Sequence, residues 1–169
     1  IDLGVSVRAL NQALHRIDME IPNLSAVLLT HEHTDHIKGL ATFVKKYELP
    51  VYATFGTGAA ILQKLPQAKK NLRLFAGGET FFVDGLRVQS MPISHDAAEP
   101  VAYRIDGGGH QLGYVTDTGF LSDEVQQTIC GCDTVVLESN HDVDMLRHGP
   151  YPFYLQQRIR GKLGHLSNE

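Results

Sequence analysis

The chain has no apolar run near the ~20 residues that cross a bilayer, and no charged segment leading into an apolar one at its start. A helical membrane protein is excluded on that pattern, and a soluble protein is expected. There is no excess of positive charge either: 15 Lys and Arg against 19 Asp and Glu leave a formal charge of −4. No global field draws such a chain to DNA or to an anionic membrane, so any nucleic-acid contact must come from a local basic patch. Cysteine is scarce. Cys130 and Cys132 lie too close for an ordinary bridge, and Cys-x-Cys is neither a zinc-knuckle nor a thioredoxin-like spacing. Reduced thiols in a cytoplasmic protein are expected. Repeats, low-complexity stretches and linkers are missing. Gly107-Gly108-Gly109 is followed by no helical pattern, which excludes a phosphate-binding loop. With 169 residues and 43% hydrophobic content, the chain suffices for one domain with a real core and is too short to suggest two.

What is plentiful is histidine, nine in all. Four potential ligands fall within six residues in Thr30-His31-Glu32-His33-Thr34-Asp35-His36, entered from the apolar run Ala26-Val27-Leu28-Leu29. A short apolar run bounded by a turn is the pattern of a strand buried on both faces. If the backbone stays extended beyond it, His31, His33 and Asp35 point to one side and His36 to the other. Imidazole with carboxylate suits zinc or another borderline divalent ion, and two such ions ~3.5–4 Å apart can activate one water between them. A histidine-rich surface loop explains one such residue but not the cluster.

Elsewhere, short apolar runs alternate with helical patterns, as in an α/β protein. Ser6 is positioned to cap a helix with Leu10, Leu14 and Ile17 on one stripe and His15 exposed. Residues 37–46 continue as a helix with Leu40, Val44 and Tyr47 at helical spacing. Asp35 and His36 thus sit at a helix start, where backbone N–H groups favour an anion. A strand at 50–53 and a helix at 57–65 follow, with Lys64, Lys69, Lys70 and Arg73 as a solvated face. Asp84-Gly85 between two apolar runs is a hairpin signal, and its second strand runs through Met91 and Ile93 to His95. Residues 101–106 and 111–116 form another hairpin across the three glycines, with His110 in the turn. Ser122 caps a helix to Thr128. Thr134-Val135-Val136-Leu137 reads as a buried strand ending at Glu138, and 154–163 as a helix carrying Arg158, Arg160 and Lys162, with Arg147 and His148 just before it. Polar residues collect at strand ends, where an α/β scaffold presents a site.

The segment from His31 to His36 resembles the His-x-His-x-Asp-His signature of the metallo-β-lactamase-fold hydrolases. Five further stretches extend the resemblance: Ile1-Asp2-Leu3-Gly4, Ser94-His95-Asp96, Thr116-Asp117-Thr118-Gly119, Leu137-Glu138-Ser139-Asn140-His141-Asp142 and Gly164-His165-Leu166-Ser167-Asn168-Glu169. The last two, with Gly149-Pro150-Tyr151-Pro152 between them, resemble the YycJ/WalJ/VicX branch. The resemblance implies an αββα sandwich of two mixed sheets, a single domain over 1–169 that is incomplete at both ends. It implies two divalent metal ions: His31, His33 and His95 hold one, Asp35 and His36 the other, and Asp117 bridges them. Zinc is the default from ligand type and manganese the second choice, since carboxylates share the coordination. One more histidine ligand is expected beyond residue 169, in an Ala-His-Leu-Ser segment, rather than at His165. Asp2 either holds a ligand histidine or is an ordinary strand-end carboxylate.

Residue differences sort the superfamily. A flavodiiron-type protein carries glutamate where His33 stands, many true β-lactamases carry cysteine where Asp117 stands, and a hydroxyacyl-glutathione hydrolase needs an added helical region. The resemblance therefore implies a metal-dependent phosphodiester hydrolase using a metal-bound hydroxide, with DNA as substrate and exonuclease action running 5′ to 3′. The expected catalytic residues are Asp35, His165 and Glu138, the glutamate orienting a histidine that donates a proton to the leaving oxygen. Asn140, His141 and Asp142 are candidates for lining the substrate site. Arg147, Arg158, Arg160 and Lys162 offer a basic rim. The alternatives are a small-molecule cyclic phosphodiesterase of the same fold and a non-catalytic metal-binding regulator.

Overall fold

In the computed structural model, which describes residues 1–169, the Ser6 hydroxyl accepts from the Ala9 N–H at 3.2 Å and opens α1 (Val7–His15). Val7 and Leu14 are its buried residues. Ile17 is not part of the stripe: the helix has ended at His15 and the side chain is exposed.

The chain divides into two compact units, residues 1–77 with 97–99, and residues 78–96 with 100–169. The first holds β1 (Val27–Leu28), α2 (Thr34–Ile37), α3 (Leu40–Lys46), β2 (Val51–Thr54), α4 (Phe55–Lys64) and β3 (Leu72–Phe75). Its three strands pair in the order β1-β2-β3, all parallel, with Val27 opposite Val51 and Val51 opposite Leu72. The expected mixed sheet is not found here, because helices join each strand to the next and bring the chain back to the same end. Leu3, Ile21, Leu29, Leu40, Phe43, Val44, Val51 and Ile61 form the core, each large side chain worth about 1.5–3 kcal/mol of burial.

The helix expected over 37–46 is interrupted. The Gly39 N–H donates to Leu3 O at 2.8 Å, so it leaves the helical ladder, and a Cβ at Gly39 would lie 2.3 Å from Val5 O. A Cβ at Gly4 would lie 1.8 Å from Asp35 O. The N-terminal segment thus packs directly on the backbone that carries Asp35 and His36.

The second unit holds β4 (Thr80–Val83), β5 (Leu86–Pro92), β6 (Val101–Gly107), β7 (His110–Val115), α5 (Asp123–Ile129), β8 (Thr134–Leu137), α6 (Val143–His148) and α7 (Phe153–Arg160). Its sheet runs β4-β5-β6-β7-β8, antiparallel until the parallel pair of β7 with β8. Asp84 and Gly85 both take positive φ (50° and 83°), the two-residue turn that matches strand twist. The next turn is Gly108-Gly109 alone. Gly107 already pairs with His110, which is therefore a strand residue. Met91, Ala102, Val115 and Val125 form a core cluster, and Ser122 caps α5 as expected. β8 lies where the sequence puts it but is not buried: as the last strand of its sheet it leaves Val135, Val136 and Leu137 41–43% exposed. The last helix starts one residue early and stops at Arg160, short of 163.

Candidate metal centre

In the first unit the site grows from Asp2. Its backbone is left-handed (φ 58°), a conformation that aspartate tolerates better than most residues, and its N–H donates to Leu28 O at 2.8 Å. The carboxylate then accepts the Thr30 N–H at 2.8 Å and the Thr30 hydroxyl at 2.9 Å, and its Oδ2 lies 2.8 Å from His36 Nδ1. Asp2 thus holds a histidine of the motif. Since the Thr30 proton goes to Asp2, the contact of 3.0 Å between Thr30 Oγ1 and His31 Nδ1 has the ring as donor. Both His31 and His36 carry hydrogen on Nδ1, so each presents the Nε2 lone pair, the form that ligates a metal.

Extended alternation stops at His33. That residue is extended (φ −65°, ψ 149°) and serves as N-cap of α2, so Thr34 onward is helical. The turn brings His36 back beside His31, with ring centroids 4.1 Å apart, instead of sending it to the opposite side. His33 stands edge-on to His31 at 4.6 Å. Asp35 is exposed, with Oδ2 3.7 Å from His36 Nε2. Glu32, between the histidines, accepts from Ala98 N–H at 2.8 Å and so tethers a loop.

In the second unit, His95 follows β5, Asp117 follows β7 and Glu138 follows β8. Buried His95 has Nδ1 3.1 Å from Gly164 O, again leaving Nε2 as the ligating atom. Burial pushes its pKa down, against the carbonyl and nearby carboxylates, which favours the neutral ring a metal requires. Asp117 is left-handed like Asp2 (φ 53°). Glu138 Oε1 accepts from Thr118 N–H at 2.6 Å and Leu166 N–H at 3.1 Å, while Oε2 lies 2.9 Å from His165 Nδ1. That hydrogen bond, helped by Asp117 and Asp96 and opposed by burial, holds the His165 pKa above its ordinary value. The ligating atoms of His95, Asp117 and His165 lie within 4.8 Å of one another, close enough to converge on one ion. Glycine permits the close approach: a Cβ at Gly164 would lie 2.1 Å from Ile159 O.

The neighbouring candidates separate. Asp142 caps α6 by accepting from Met145 N–H, and Asn140 is exposed. His141 lines a cleft with His165 and Arg160. Arg158 is bound to Asp96, its Nε 2.6 Å from Oδ2, and Asp96 Oδ1 lies 3.5 Å from His95 Nε2. Sequence reasoning gave Thr30, Asp96 and Gly164 no role. The first two have polar side chains within the quoted motifs, but a backbone carbonyl leaves no sequence signal.

Residues 1–167 match the family described as the Beta-lactamase superfamily domain. The chain belongs to the beta-lactamase superfamily. Among superfamily proteins it is similar to "Exodeoxyribonuclease YycJ" of Bacillus anthracis, 40% identical over 172 residues, covering all of this chain and 64% of that protein. It is also similar to "Exodeoxyribonuclease WalJ" of Streptococcus pneumoniae (strain R6), 36% identical over 174 residues with the same coverage. The likeness to the YycJ/WalJ branch drawn from the motifs therefore runs through the whole chain, which spans 64% of the length of those relatives. Zn(2+)-bound PqqB from Methylobacterium extorquens shares the fold, with a TM-score of 0.75, 24% identity, and coverage of 99% of this chain and 64% of that one. The α/β class with two sheets agrees with that superfamily. No helix is long and apolar enough to cross a membrane.

Proposed function

We propose that this chain carries the active site of a metal-dependent phosphodiester hydrolase whose substrate is DNA, an exonuclease that removes nucleotides 5′ to 3′. The observation that supports it most is the Glu138–His165 pair, 2.9 Å apart beside two side chains of metal-ligating type. The names of the YycJ and WalJ relatives support DNA as the substrate.

In this reading the chain acts as one domain. His31, His33 and His95 hold one divalent ion, Asp35 and His36 hold a second, and Asp117 bridges, with zinc the expected metal and manganese the second choice. The donor set fits: the Nδ1 atoms of three imidazoles face Thr30, Asp2 and Gly164 O, so each offers the Nε2 lone pair that a borderline ion takes. Divalent ions supply Lewis-acid activation of water and neutralise charge on the phosphoryl oxygens. The remaining work falls to the chain. Asp35 orients the attacking water. Glu138, its Oε1 accepting two backbone N–H donors, holds His165 by Nδ1, and His165 gives its Nε2 proton to the departing oxygen.

The test uses end-labelled duplexes with the full-length, metal-loaded protein, which should lose nucleotides progressively from the 5′ end. Cleavage of small cyclic phosphodiesters with DNA left intact replaces this function with the cyclic phosphodiesterase. No hydrolysis of either, at full metal occupancy, leaves the non-catalytic regulator.

A further inference from the structure

Helix α7 turns an aromatic and a cationic side chain outward on one stripe. Phe153, Gln156, Gln157 and Arg160 fall at i, i+3, i+4 and i+7, and together line an open cleft of about 300 Å³. Apolar residues of a surface helix ordinarily face the core, yet Phe153 is 72% exposed. Gln156 donates its amide to Tyr151 O at 2.8 Å, so one wall of the cleft is preset. Arg160 is shared with a second cleft of about 280 Å³, where it meets His141, His165 and Ser167. One guanidinium therefore joins the aromatic ring to His165 along a continuous track.

The charges along this track are not equivalent. Arg158 is bound by Asp96, and Arg147 leans on Asp144 at 3.7 Å. Arg160 has no carboxylate partner, and its field reaches His141. His141 Nδ1 is buried in the same cleft without a hydrogen-bond partner. A concave surface with an unneutralised guanidinium and an unpaired imidazole nitrogen suits an anion that also brings hydrogen-bonding atoms. An exposed aromatic face a helix turn away suits a base, because every base has a π-face to stack.

We propose that these clefts form a nucleotide subsite: one nucleotide next to the scissile phosphodiester places its phosphate on Arg160 and its base on Phe153. A base paired within a duplex cannot stack on Phe153, so the occupant is single-stranded, the frayed end of the strand being degraded. This rests on the exonuclease reading and adds where the strand runs. His141 serves as a hydrogen-bonding group for the same phosphate.

The experiment is fluorescence anisotropy of a short single-stranded oligonucleotide with a non-hydrolysable phosphorothioate backbone and the full-length, metal-loaded protein, where binding is read without cleavage. Phe153→Ala should weaken binding about tenfold or more, and Phe153→Tyr should retain it. An oligonucleotide with one abasic site at the stacked position should weaken wild type by the same factor and Phe153→Ala no further. Arg160→Ala should reduce the slope of log affinity against log salt by about 0.7. Wild-type affinity in Phe153→Ala overturns the subsite, as does a matching fall in melting temperature, which makes the ring a packing residue. If wild type still degrades DNA in that case, the subsite alone fails. A wild type that binds no DNA overturns the subsite and the exonuclease reading together.

Discussion

Asp2 Oδ2 lies 2.8 Å from His36 Nδ1, although 34 residues separate them in the chain. The same carboxylate takes both the N–H and the hydroxyl of Thr30, so one side chain fixes the strand end and the ring together. Groups that orient a ligand histidine typically carry a 10–100-fold effect on metal affinity. Asp2→Ala should therefore weaken metal binding by about that factor, read by competition with a chromogenic chelator. Unchanged affinity would mean that Asp2 only ties down the strand.

Glu138 and His165 form the corresponding pair of the second unit. His165→Ala should lower turnover roughly 10²–10⁴-fold with metal content nearly unchanged. Glu138→Gln should lower turnover too, because the amide no longer holds the ring through a charged acceptor. Metal loss in His165→Ala, measured by elemental analysis, would make His165 a ligand with His95 and Asp117.

Gly4 tests how the N-terminal segment supports the motif. A Cβ there meets Asp35 O at 1.8 Å, a backbone atom that cannot swing aside. Gly4→Ala should cost about 1–3 kcal/mol of stability, as overpacking does, and should lower metal affinity because Asp35 moves. A variant with wild-type melting temperature and affinity would refute the close approach.

Away from the site, Asp106 gives a pH prediction. Burial pushes its carboxyl up, but hydrogen bonds from Arg104 and Arg87 outweigh this and hold it below its ordinary value of 3.8. A carboxylate with a depressed native pKa stabilises fully above its unfolded value and loses that contribution as pH falls through the native one. Asp106→Asn should cost about 0.2–1 kcal/mol near pH 7, the range for exposed ion pairs. The difference from wild type should shrink as pH drops below 3.8 and vanish further down. A gap that stays constant with pH, followed by thermal unfolding, would show that the charge is not what counts.

Much of the fold was legible because local signals decided it. Ser6 and Ser122 cap the helices they precede, and Asp84-Gly85 makes its turn. The structure departs from the local pattern where distant contacts decide. Gly39 breaks a helix because Leu3 O accepts its N–H, a partner invisible to periodicity. β8 was identified from its apolar run, yet a run says nothing about whether a strand lies at the edge of a sheet. Among the candidate residues, His31, His95, Asp117 and Glu138 follow strands, as their patterns suggest. His36 departs from extended alternation because the chain turns helical one residue after His33. Thr30 gained its place between Asp2 and His31 through contacts across the fold.

The proposed function requires two divalent ions held by His31, His33, Asp35, His36, His95 and Asp117. Elemental analysis of the full-length protein at saturating zinc, alongside the His31→Ala and His36→Ala variants, tests it most directly. Two ions per chain are predicted for wild type, with occupancy falling in each variant and in wild type at acid pH, where protons compete with the metal for imidazole. A wild type that stays at one ion per chain under saturating metal, or an unchanged count in both variants, would contradict it.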